Sequence, residues 1–111
     1  MSYAVMFLED AERDLRNIRA YVASQFSEKL ANKIYIDIRD AILRLEDNPD
    51  LGHTIPQIAH LGMTDFRQIV VEKRNKVIYQ IDSGKKRLYI YLICSERQDF
   101  DTALATRMLA M

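Results

Sequence analysis

Near residue 63 the hydrophobic period of this chain changes from helical to strand-like, and that switch decides what it can fold into. Leu15, Ile18, Val22 and Phe26 recur at spacings of three and four, and so do Leu30, Ile34, Ile38, Ala41 and Leu45. Each set lays an apolar stripe along one face of a helix. Asp10 suits the N-cap of the first helix. Ser27 opens the second, with Glu28 favouring the positive end of its dipole, and Asp47-Asn48-Pro49 stops it. With almost no connector between them, the two helices must fold back as an antiparallel hairpin. Beyond the switch, Phe66–Glu72, Val77–Asp82 and Leu88–Cys94 are rich in Ile, Val and Tyr, as strands are. Lys73-Arg74-Asn75-Lys76 and Ser83-Gly84-Lys85-Lys86 separate them. Connectors that short, with Asn75 and Gly84 available for positive φ, predict two hairpins and so an antiparallel meander.

Three further segments complete the order. Tyr3–Leu8 is an apolar run suited to a buried strand and too short for a helix. Ser95 can cap a last helix, in which Phe100, Leu104 and Met108 share a face. Pro49–Met63 holds both prolines, both histidines and two of the three glycines without any period, and reads as a surface loop. The expected fold is α+β with the order β-α-α-β-β-β-α: a helix hairpin on one face of a small, mainly antiparallel four-stranded sheet, with a short C-terminal helix. Leu88, Ile90, Leu92 and Cys94 are expected on one face of the last strand and Tyr89, Tyr91 and Ile93 on the other. Both faces of the sheet are then largely apolar, so the last helix and a protein partner are expected to cover the second one.

At 111 residues the chain is expected to be a single domain, 1–111, and its 49% hydrophobic content suffices for a core. One cysteine excludes a disulfide framework and a cysteine-based zinc site. His53 and His60 lack a credible partner set for zinc, and there is neither a Gly-rich phosphate loop nor a defensible Ser/His/Asp set, so no metal or cofactor is expected. No apolar run reaches the roughly 18 residues a membrane span needs. Met1–Leu8 lacks the basic start and long apolar stretch of a signal peptide, and a cytoplasmic location is expected.

The net charge of zero conceals an asymmetry: residues 1–60 carry ten acids against seven bases, and 61–111 six against nine. From Arg67 to Arg97 eight bases (Arg67, Lys73, Arg74, Lys76, Lys85, Lys86, Arg87, Arg97) face only Glu72, Asp82 and Glu96. Such a local field can hold an acidic partner or phosphates. Lys73, Lys85 and Lys86 lie in predicted turns, where lysines also serve simply to protect sheet edges. Arg67 and Arg97 lie outside turns.

Taken in order, several stretches resemble a known group. They are the opening strand into Asp10-Ala-Glu-Arg-Asp-Leu15, the helix end Leu45-Glu-Asp-Asn-Pro-Asp-Leu-Gly52, the hairpin Phe66-Arg-Gln-Ile…Lys76-Val-Ile-Tyr-Gln-Ile81, and the tail Ile90-Tyr-Leu-Ile-Cys-Ser-Glu-Arg-Gln-Asp-Phe100. The ordered set, from about Tyr3 to Leu109, resembles the ParE/RelE superfamily of bacterial toxins from toxin–antitoxin modules, often found as plasmid-stabilisation genes. The resemblance implies a growth-inhibiting toxin with a cognate antitoxin that folds on binding, in a hetero-oligomeric complex. RelE-like members are ribosome-dependent messenger ribonucleases, whereas ParE-like members poison DNA gyrase without chemistry of their own.

Cleavage of RNA needs a group to activate the 2′-hydroxyl, a cation for the phosphorane and an acid for the leaving oxygen. Arg67, Lys76 and Arg97 fall at plausible positions for the cations. After Arg97 there is no Tyr, His or Lys, so the terminal acid/base is missing and only a carboxylate such as Glu96 or Asp99 could substitute. The overall neutrality also makes a poor polyanion binder. Glu96-Arg97-Gln98-Asp99 followed by Leu104…Arg107-Met108-Leu109 resembles the ParE-like ending. The gyrase-directed reading is therefore preferred, with Arg67, Arg74, Lys76, Arg97 and Arg107 as target-binding candidates. The alternatives are a ribosome-dependent ribonuclease using Arg67, Lys76, Arg97 and Glu96, or an inactive antitoxin-binding module. Residue by residue, plainer roles compete: Arg97 pairing with Glu96 or Asp99 or stacking on Tyr79, Arg67 in a cross-strand ion pair, Tyr79, Tyr89 and Tyr91 as half-buried strand residues rather than base-stacking platforms, and Cys94 as an inert buried thiol.

Overall fold

The two apolar stripes form the helices that their spacing requires. In the computed structural model, which describes residues 2–109, α1 spans Glu9–Gln25 and α2 Glu28–Leu43, burying Ala11, Leu15, Ile18 and Val22 from the first and Ala31, Ile38, Ala41 and Ile42 from the second. Ser27 caps α2 as expected, its Oγ accepting from the Leu30 N–H at 3.0 Å. Asp10 does not cap α1. The helix starts one residue before it, at Glu9, with Leu8 at the cap position, and Asp10 instead binds Arg13 from within the first turn.

The sheet has five strands rather than four. β1 (Ala4–Phe7) runs parallel to β5 (Arg87–Ser95), followed antiparallel by β4 (Asn75–Asp82), β3 (Phe66–Val71) and a two-residue β2 (His53–Thr54). The stretch expected as a plain surface loop thus supplies an edge strand, a single turn of helix α3 (Pro56–Ala59), and two core residues, Ile55 and Ile58. α4 (Phe100–Leu109) closes the described chain. Asp99, not Ser95, caps α4, accepting from the Asp101 N–H at 3.2 Å and the Thr102 hydroxyl at 2.7 Å; Ser95 bonds Gln98 in the preceding turn.

The hairpin covers one face of the sheet and α3 with α4 covers the other, giving two apolar clusters. Phe100, Leu104 and Met108 do share the sheet-facing side of α4. Which strand residues join which cluster is set by a register shift between Ile78 and Tyr79: Ile78 pairs with Leu92 but Tyr79 with Ile90, leaving Tyr91 as an extra residue. One extra residue flips every side chain after it. Leu88 and Ile90 face the hairpin, but Leu92 and Cys94 face α4 while Ile93 turns to the hairpin. Strict alternation along β5, as the sequence suggests, does not hold.

The hairpin turns also deviate. Positive φ falls at Glu72 (53°), Lys73 (61°) and Lys86 (52°) rather than at Asn75 or Gly84. Glu72 and Lys73 are the two central residues between Val71 and Arg74, whose N–H returns to the Val71 carbonyl at 3.1 Å. Positive φ at both centres matches the right-handed twist of the flanking strands, which is what this turn needs.

Tyr79 pins the far end of the sheet to the 49–52 segment. It is fully buried, donates its hydroxyl to the Pro49 carbonyl at 2.6 Å, and accepts from the Gly52 N–H at 3.0 Å. Gly52 fits because a Cβ there would lie 2.7 Å from both the Gln68 carbonyl oxygen and the Tyr79 hydroxyl. Gly52→Ala should therefore cost about 1–3 kcal/mol by overpacking, and Tyr79→Phe about 1–3 kcal/mol by leaving the buried Gly52 N–H and the half-buried Pro49 carbonyl without their partner, both read by urea denaturation. Burial pushes the Tyr79 phenol up, and Tyr91 is raised the same way. A raised folded-state value means the unfolded chain ionises first. The stabilisation is whole below pH about 10 and is lost as pH rises through the folded-state value. Tyr79→Phe should make stability fall less steeply above pH about 10 than in the parent, Tyr91 keeping part of the slope.

Candidate functional site

The sequence candidates separate into two groups. Arg67, near the start of β3 and paired across the sheet with Tyr79, donates to the Gly52 carbonyl at 2.8 Å and sits 3.8 Å from Asp50. It completes the clasp made by Tyr79. Arg107 lies on α4, makes two 2.9 Å hydrogen bonds to Asp14 of α1, and bonds the Tyr91 carbonyl. Asp14 also accepts the Ile93 N–H at 3.0 Å. The Asp14 bond holds the Arg107 guanidinium above its ordinary value. Both arginines are thus built into structural contacts at separate places.

Arg74, Lys76, Glu96 and Arg97 do come together, at the end of the sheet where the β3–β4 turn lies beside the segment after β5. Register explains it: Asn75 is opposite Ser95 and Lys76 opposite both Val70 and Cys94, so the turn ahead of β4 and the exit of β5 meet across β4. Arg74, Ser95 and Glu96 form a rim between two hollows, one on each face of the sheet. On the α4 face, Lys73, Lys76, Cys94, Gln98 and Phe100 line a cleft of about 180 Å³, with the Lys76 ammonium 4.0 Å from the Phe100 ring centre. On the hairpin face, Arg97 lines a second hollow of about 180 Å³, its guanidinium carbon 3.9 Å from the centre of the Tyr21 ring. Arg97 stacks, then, but on Tyr21 of α1 rather than on Tyr79. A cation over an aromatic face gains about 0.5–1 kcal/mol when exposed.

Burial raises the Cys94 thiol, so it stays protonated and unreactive as expected of a core cysteine. A larger hollow of about 450 Å³ beside β3 is lined by Arg44, His53, Gln68 and Lys76 among others, with no carboxylate. His60 sits 3.2 Å from the Pro56 carbonyl. Among the described residues no group of three or more His, Cys, Asp and Glu could hold a metal.

Chemically, the rim offers exposed positive charge on two faces. Lys76 and Tyr21, the latter a phenol that sequence reasoning left out, line different hollows. Asp14 was also missed, although its spacing of four from Ile18 puts an acid beside the buried stripe of α1.

A family model for the ParE toxin of type II toxin–antitoxin systems matches residues 5–100. The chain belongs to the ParE toxin family. Solved structures share the fold. The chain is similar to the chromosomal ParDE system of P. aeruginosa, at 17% identity and a TM-score of 0.68 over 85% of this chain and 96% of that one. It is similar to the RelBE2 toxin–antitoxin complex of Mycobacterium tuberculosis, at 17% identity and 0.63 over 88% and 95%. It also resembles the isolated E. coli RelE toxin, at 13% and 0.60 over 97% and 99%. No curated protein matches. The ParE-family chain therefore carries a fold common to ParE and RelE toxins, and its own side chains must distinguish the two.

The two groups of residues should respond differently to truncation. Asp14→Ala leaves Arg107 and the Ile93 N–H without their partner and should cost about 2–3 kcal/mol. Arg74→Ala, whose side chain is exposed, should stay within about 0.5 kcal/mol of the parent, and Arg97→Ala within about 1 kcal/mol. Chemical denaturation monitored by circular dichroism measures all three.

Proposed function

We propose that this ParE-family toxin arrests growth by binding DNA gyrase through the basic rim, with Arg74, Lys76 and Arg97 in contact, and that a cognate antitoxin neutralises it. The carrying observation is that Arg67, Lys76 and Arg97, the cations the ribonuclease reading needs, do not converge on one point. Arg67 and Arg107 are engaged by Gly52 and Asp14, Lys76 faces α4, and Arg97 faces the hairpin. Splitting a phosphodiester asks for a base, a charge stabiliser and an acid within hydrogen-bond reach of the same few atoms. A binding surface needs only complementary charge and shape, and the rim offers that on an otherwise neutral protein. The antitoxin part of the proposal is supported by the family and by the P. aeruginosa and M. tuberculosis neighbours, which are toxin–antitoxin systems.

The ribosome-dependent ribonuclease remains the second reading, favoured by the local basic excess and by Glu96 beside Arg97. Purified toxin added to gyrase supercoiling and cleavage reactions should accumulate linear plasmid, and parallel translation reactions read by primer extension should show no new messenger ends. Codon-positioned messenger cuts with unaffected gyrase would overturn the proposal. No effect in either assay alongside tight antitoxin binding would overturn it too, in favour of an inactive antitoxin-binding module. The double variant Arg74→Ala/Arg97→Ala should abolish growth arrest while keeping the melting temperature close to the parent's.

A further inference from the structure

β3 is open along part of its outer edge. On the inner side the Ile81 N–H takes the Asp65 carbonyl at 2.9 Å, and backbone direction alternates along an antiparallel strand. Asp65, Arg67, Ile69 and Val71 therefore turn their backbone groups to β4, while Gln68 and Val70 turn theirs outward. His53 meets Gln68 there, and β2 begins at that residue. The position opposite Val70 would fall to Leu51, but the Leu51 N–H folds back to the Asn48 carbonyl at 3.1 Å, in a turn that the Tyr79 hydroxyl fixes at Pro49 and Gly52. Among the described residues no strand stands opposite Val70, which is 57% exposed. The gap is the hollow of about 450 Å³ between the end of α2 and β3. Leu51, Ile69 and Val70 give it apolar walls, Arg44, His53 and Lys76 bring basic side chains from three parts of the chain, and none of its lining residues is acidic. Among the described residues those three bases form no recorded ion pair.

We infer that an extended, acidic segment of gyrase adds to the sheet at this edge. Its backbone pairs with the outward N–H and carbonyl of Val70, and a carboxylate beside the pairing residue faces Arg44 and His53. A sheet edge with outward backbone groups is a template for strand addition. What it asks for is another polypeptide backbone, which separates this occupant from a nucleic-acid strand. Charge complementarity then selects an acidic segment, since the walls carry three bases and no acid. Lys76 lines this hollow and also the α4-face cleft of the basic rim, so the two form one continuous surface. The inference rests on the gyrase reading proposed above, and it names the form of the target that the toxin grips.

The experiment uses the full-length toxin and the gyrase holoenzyme, with affinities from biolayer interferometry and a circular dichroism melt for each variant. Val70→Pro removes the outward N–H alone, a change that an edge strand tolerates, and should weaken binding by at least about 10-fold. Val70→Ala keeps that N–H and should lose less than about 2-fold. Arg44→Glu should weaken binding by about 10-fold, and Lys85→Glu, in the turn at the far end of β4, by less than about 2-fold. On the unaltered toxin the Val70 amide should exchange at least about 10-fold more slowly once gyrase is bound, a reading that needs no variant to fold. Parent-like binding by Val70→Pro or Arg44→Glu, an equal loss in Val70→Ala or Lys85→Glu, or unchanged Val70 exchange in the gyrase complex would each overturn the inference. So would protection of Val70 by a single-stranded oligonucleotide in place of gyrase. If the unaltered toxin binds no gyrase at all, the gyrase reading itself falls, and the two failures are thereby told apart.

Discussion

β5 is longer than the strand beside it, and much of the molecule is arranged around that mismatch. β1 pairs with β5 only as far as Phe7 opposite Ile90, and the Leu8 N–H then takes the Ile90 carbonyl. The outer edge of β5 beyond that point has backbone groups to satisfy and no strand to do it. Asp14 and Arg107 take the place of the missing strand, the carboxylate accepting the Ile93 N–H and the guanidinium reaching the Tyr91 carbonyl. Because the pair also binds itself, it joins α1, β5 and α4 through one charge-assisted cluster, 15% and 20% exposed.

At the opposite end, the Tyr79 and Arg67 clasp performs a similar service for the edge. It holds the 49–52 turn against β3 and β4, so that His53 and Thr54 can pair with Gln68 and Arg67. Both clasps use residues whose charge or hydroxyl would otherwise suggest a binding site. Their engagement sets Arg67 and Arg107 apart from the cluster at the sheet's end, where Arg74 and Arg97 are exposed and Lys76 is half-buried.

The parts of the fold that the sequence made legible are those whose signals are local and periodic. The hairpin stripe from Leu15 to Leu45 and the three central strands follow directly from spacing. Tertiary exceptions were not legible. β2 is two residues long and exists because β3 offers it an edge, not because His53-Thr54 prefers extension. The extra residue at Tyr91 depends on how β4 and β5 align and leaves no mark in composition. Positive φ at Glu72 and Lys73 is imposed by strand twist upon residues that disfavour it. At the rim, the grouping of Arg74, Lys76, Glu96 and Arg97 follows from strand register, which the predicted meander already implied. Tyr21 arrives from a helix more than seventy positions earlier, and nothing in one sequence announces that meeting.

The parallel pairing of β1 with β5 carries a consequence for the order of assembly. Ala4 finds its partner at Arg87, so a ribosome must reach Arg87 and beyond before the first strand can pair. Contacts of that sequence separation slow the search and leave the sheet open during synthesis. The rim, which needs the exit of β5, takes shape later still, so a nascent chain presents its arginine-lined surface only after Arg97 has been made.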